Sequence, residues 1–115
     1  MLIPDDTTKF KTLETIIRYG KQPNSPTLLY HYLRLGEQQA KTKSEFAERQ
    51  MYLGMFNTLM NTICDTCVAY HWRNLCLDHV YKPLFLIERL IKTQADQRQV
   101  KQLYRELKTL SHYFL

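Results

Sequence analysis

The chain has 115 residues, 44% of them hydrophobic and 23% charged, with only 3 Gly and 4 Pro. That length suits one apolar core, so residues 1–115 are read as a single helical domain, and the composition excludes a disordered or low-complexity chain. The net charge of +5 favours an anionic partner only modestly, because a charge of this size also serves solubility.

The start, Met1-Leu2-Ile3-Pro4-Asp5-Asp6, reaches acidic residues before any apolar run and lacks the pattern of a secretion signal. The longest uncharged stretch, Met51 to Cys64, contains Asn57 and Asn61 and falls short of the ~20 apolar residues that a membrane-spanning helix needs. Three cysteines cannot all pair internally. The expectation is a soluble, cytoplasmic protein with reduced thiols and no membrane partner.

In chain order, Asp5 or Asp6 can cap a first helix over 6–19, in which Phe10, Leu13, Ile16 and Ile17 recur at helical spacing before Gly20 offers a left-handed stop. Ser25-Pro26 opens a second helix over 26–40, with Leu28, Tyr32 and Leu35 inward. Thr42-Lys43-Ser44-Glu45 fits a capping box. It predicts a long central helix over 44–69, with Phe46, Leu53, Phe56, Met60, Ile63, Cys64 and Cys67 on the inner face and Asn57, Thr58, Asn61, Thr62 and Asp65 opposite.

From Trp72 to Ile91 the apolar stripe is the widest in the chain, and Pro83 inside it predicts a kink or short break near Lys82. A last helix opens at Asp96 and carries Val100, Leu103, Tyr104, Leu107, Leu110 and Phe114 on one face. No segment alternates as a strand does. The predicted fold is all-α, a compact bundle of five or six helices with mostly antiparallel neighbours.

Cys64, Cys67, His71, Cys76 and His79 concentrate the residue types that ligate metals or act as nucleophile and base. On a continuous helix Cys64, Cys67 and His71 share a face, and a chain reversal near Trp72 brings Cys76 and His79 to them, as a zinc site requires. Against this, reduced cysteine packs as a small hydrophobe, and the face concerned is already apolar. Cys64-Asp65-Thr66-Cys67 also has the spacing of a redox pair, but at a helix C-terminus the dipole opposes a thiolate.

Arg98, Lys101, Arg105, Lys108 and His112 align in a stripe about a third of a turn from the apolar face of the last helix. This pattern suits nucleic-acid phosphates or an acidic protein surface, but a charged outer face is also what any amphipathic helix must have. The eight tyrosines exceed what packing needs and point to interfaces. The run Lys43 to Gln50 resembles the first helix of the helix-turn-helix in some bacterial regulators. The tight turn that motif needs does not follow, since Gly54 arrives too late, and no family is assigned.

No glycine-rich phosphate loop and no paired catalytic carboxylates stand out, so neither an enzyme nor a small-molecule substrate is expected. The leading expectation is a helical adaptor or regulatory protein that binds a macromolecule, as a homodimer. A nucleic-acid-binding regulator using the basic stripe comes second, and a zinc-stabilised domain third.

Overall fold

The computed structural model describes residues 6–115, in six helical segments with no strand among them. They are α1 (Asp6–Arg18), α2 (Pro26–Ala40), α3 (Glu45–Ile63), α4 (Tyr70–His79), α5 (Tyr81–Glu88) and α6 (Gln94–Phe114). The fold is an all-α bundle. Val80 is both the C-cap of α4 and the N-cap of α5, so the two also read as one bent helix, which gives five.

Helix ends follow local chemistry. Gly20 takes φ +57° and closes α1 in a Schellman motif, its N–H donating to the Ile17 carbonyl and that of Lys21 to the Ile16 carbonyl. Pro26 starts α2 as expected, although the Ser25 hydroxyl makes no capping bond. The expected cap at Asp5 or Asp6 lies outside the described side chains. The Pro83 ring would clash with the carbonyl four residues back, at His79, and the helix breaks there, between His79 and Tyr81. Pro83 thus falls in the first turn of α5, where a missing N–H costs nothing.

The extents are 44 × 41 × 16 Å. Two layers of helices about 10 Å apart account for the short dimension. Helix α3 touches all five others and supplies Tyr52, Met55, Phe56, Leu59 and Ile63 to one core that also holds Ile17, Leu29, Tyr32, Trp72, Leu84, Ile87 and Leu107.

Several expectations need correction. The central helix does not run to 69. It stops at Ile63, with Cys64 as its C-cap, because Asp65 turns the chain: its carboxylate accepts the Cys67 N–H at 2.9 Å and pairs with Arg18 of α1 at 2.8 Å. Its buried face is rotated by roughly 80° from the expected one at 100° per residue. Phe46 is 71% exposed and Thr62 is fully buried, the Thr62 hydroxyl donating to the Arg18 carbonyl.

In α2 the fully inward positions are Leu29, Tyr32, Leu33 and Ala40, while Leu28 and Leu35 are half-buried. The Thr42–Glu45 capping box does not form. Thr42 instead donates to the Gln39 carbonyl, Ser44 caps α3 by accepting the Ala47 N–H, and Glu45 pairs with Lys92. A true capping box joins Thr93 and Asp96, so α6 begins at Gln94, two residues before the expected start.

Candidate binding surfaces

The Cys/His segment forms a latch rather than a cluster. Around the α3–α4 turn, Asp65 reaches Arg18, the Trp72 indole N–H donates to the Ile17 carbonyl at 2.9 Å, and His71 Nε2 donates to the Pro23 carbonyl at 3.0 Å. Val68 packs so closely on Gly20 that a Cβ there would lie 2.7 Å from its Cγ1. The indole is a second donor to the Ile17 carbonyl beside the Gly20 N–H, and the contacts together tie α4 to the end of α1 and the connection that follows it.

The thiols point to different environments. Cys76 is buried in the core, Cys64 is half-buried and Cys67 is exposed on the turn. His79 sits edge-on to the Tyr30 ring, 4.9 Å between centroids. Among the described residues no three His, Cys, Asp or Glu side chains are grouped to hold a metal ion, so Cys64, Cys67, His71, Cys76 and His79 are not brought together as ligands. Their spacing presupposed a continuous helix, and the turn at Asp65 breaks it. Burial pushes the Cys76 thiol up to about 12 and also raises that of Cys64, against the opposing charge of Arg73. Both stay thiols at neutral pH, unlike an activated nucleophile.

On α6, Arg98, Lys101, Arg105, Lys108 and His112 are all exposed, and none belongs to an ion pair among the described residues, whereas Arg18, Lys41, Arg49, Lys82 and Lys92 all do. At 100° per residue the five fall within an arc of roughly 80°. Tyr104 borders that arc and donates to Glu88 of α5 at 3.0 Å. Burial, that bond and the nearby Glu88 and Tyr81 push its hydroxyl up to about 12. Tyr81 and Phe85, exposed and 6.2 Å apart between centroids, lie on the same α5 segment. Folding therefore sets one ring, Tyr104, at the edge of the basic stripe and joins α6 there to α5 through Glu88.

A third surface was not anticipated. The face between α1 and α3 holds two recesses that meet at Glu14. One, of about 470 Å³, is lined by Phe10, Lys11, Phe46, Gln50, Met51 and Gly54 among others; the second, of about 270 Å³, is lined by Thr15, Arg18, Tyr19, Thr58 and Asn61. Glu14 is fixed by the hydroxyl of Tyr32, which donates to it and which Phe10 stacks upon. The only sequence signal was the uncharged run from Met51 to Cys64, which contributes both core and surface.

No protein-family model, curated protein or solved structure matches this chain. Among the described residues no helix is long and apolar enough to cross a membrane.

Proposed function

We propose that this chain is a small cytoplasmic helical adaptor or regulatory protein, not an enzyme, that acts by binding other macromolecules as a homodimer. The observation that carries this reading is the set of large aromatic side chains left exposed around the bundle: Tyr19, Tyr30, Phe46, Tyr70, Tyr81, Phe85 and Tyr113. Aromatic rings supply much of the binding energy where proteins meet, and rings at several places offer more than one contact surface.

A native mass spectrum of the reduced protein tests it. A mass twice the 13.8 kDa of the protomer, with no metal increment, supports the reading. A protomer mass at all concentrations removes the homodimer. A zinc increment lost to a chelator moves the protein to the metal-stabilised class.

A second reading, nucleic-acid binding, is favoured by the exposed stripe from Arg98 to His112, which Tyr104 borders, and by the exposed Tyr81 and Phe85 of α5, the helix that Tyr104 bonds at Glu88. Cations that follow a phosphate backbone and rings that stack on bases are the parts such a surface needs. Affinity should then fall steeply with salt, by a log–log slope of about −0.7 to −0.9 for each phosphate neutralised. Reversing the charge of Arg98, Lys101 and Arg105 together should abolish binding to single-stranded and duplex probes. Unchanged affinity would retire this reading.

A further inference from the structure

We propose that the α1–α3 face is the surface on which a second copy of this chain docks, with α3 crossing its counterpart antiparallel and the two-fold axis passing beside Gly54. This rests on the homodimer reading above and adds the surface and its geometry.

The exposed stripe of α3 is the first ground. Phe46, Gln50, Gly54, Asn57 and Asn61 fall within an arc of roughly 80° opposite the buried face, and all but Phe46 are small or amide side chains exposed to solvent. None carries a charge, on a chain whose net charge is +5. In a two-fold contact, groups near the axis meet their own copies, so a charged patch repels itself there. The unpaired cations of α6 make that face a poor self-contact. The α3 stripe carries no such penalty.

Gly54 is the second ground. A Cβ built there meets nothing within 4 Å, so the missing side chain serves no packing inside the protomer. By contrast, a Cβ on Gly36 would come 2.6 Å from Met55 and 3.0 Å from Phe10. Bare backbone at Gly54 allows a second helix to cross near the close end of the usual 8–10 Å range.

The two ends of the face are the third ground, because they are complementary. Gly54 lies at the middle of a stripe about 22 Å long from Phe46 to Asn61. An antiparallel crossing there carries each Phe46 to the Asn61 end of the other copy, where Tyr19, Thr15, Thr58 and Arg18 line the 270 Å³ recess. Phe46 is 71% and Tyr19 57% exposed in the protomer, and the crossing covers both rings twice over. A standard interface buries about 800 Å² per partner. The crossing must therefore engage α1 as well as α3, including both aromatic ends.

Sedimentation equilibrium of the full chain over micromolar concentrations tests this with Gly54→Glu and Phe46→Ser. Gly54→Glu sets two like charges against each other at the axis, where such juxtaposition is costly, and should weaken the dimer about 100-fold or more. Phe46→Ser should weaken it as well. Both variants should keep the wild-type circular dichroism, because position 54 is open and Phe46 lies on the surface. A dimer unaffected by both variants overturns this face and leaves the homodimer reading standing. A wild-type chain that sediments at its protomer mass throughout overturns both.

Discussion

Arg73 Nη2 donates to the Phe114 carbonyl at 2.9 Å while its Nε donates to the Ile63 carbonyl at the same distance. One buried guanidinium therefore closes the C-terminal ends of both α3 and α6. Carbonyls at helix ends have no intrahelical partner and carry the negative end of the dipole, so a cation that donates to them suits both needs. Arg73→Met keeps the apolar stem and removes both bonds. It should cost about 3 kcal/mol, since hydrogen bonds from a charged group contribute about 1.5–3 kcal/mol each and the remaining acceptors are left partly buried. Urea denaturation measures this. Arg73→Lys should rescue little, because an ammonium cannot reach both carbonyls as the planar fork does.

Gly20 and Trp72 carry the latch between α1 and α4. Gly20→Ala combines a left-handed backbone with a Cβ 2.7 Å from Val68 and 3.1 Å from the Trp72 ring. The two penalties together should destabilise by about 2–4 kcal/mol. Trp72→Phe should cost about 1–3 kcal/mol by removing the indole N–H bond to the Ile17 carbonyl and part of a fully buried ring. These residues touch one another, so the double variant should lose less than the sum of the two.

Where a helix met solvent on one side, its pattern was legible. The spans of α1 and α2, the inward Val100, Leu103 and Leu107 of α6, and the break at Pro83 all follow from short-range periodicity and stop signals. Helix α3 was harder to read because it is covered on most sides, and its one exposed stripe is made of amides, a glycine and a phenylalanine rather than charges. Thr62 is inward for a reason 44 residues away, its bond to the Arg18 carbonyl. The end of α3 depends likewise on the pairing of Asp65 with Arg18, 47 residues apart. That same turn places Cys64 and Cys67 apart from Cys76 and His79, so among the described residues they form no group of three. The basic stripe was legible as a pattern, but the Tyr104–Glu88 bond that joins its edge to α5 became visible only through the fold.

Thiol chemistry should separate the three cysteines. Cys67 is exposed, Cys64 is half-buried with its thiol raised, and Cys76 is in the core with its thiol near 12. Timed alkylation of the native protein, read by peptide mass spectrometry, should label Cys67 first, Cys64 more slowly, and Cys76 only on unfolding. Cys67→Ala should leave stability within about 0.5 kcal/mol of wild type, as surface substitutions usually do. A melting temperature that drops with chelator in the wild type but not in a Cys64→Ala, Cys67→Ala chain would bring back the zinc reading.

Stability should fall in acid through two aspartates. The Arg18 guanidinium and the Cys67 N–H hold the Asp65 carboxyl below its usual value. The Lys92 and Thr93 N–H groups, with Arg49, do the same for Asp96. In the unfolded chain both return to about 3.9. A carboxyl whose pKa is lower in the folded state gives stability that is present above the unfolded value and lost as pH falls through the folded one. Both also anchor distant segments: Asp65 holds α1 to the α3–α4 turn, and Asp96 joins Arg49 of α3 to the start of α6 at 3.0 Å. Asp65→Asn and Asp96→Asn should each lower stability at neutral pH and flatten its decline below about pH 4. The check is the urea midpoint measured from pH 7 downward. An unchanged acid slope in the double variant would assign the acid transition to other carboxylates, with Glu37 first among them, because Lys41 and Lys82 hold it low as well.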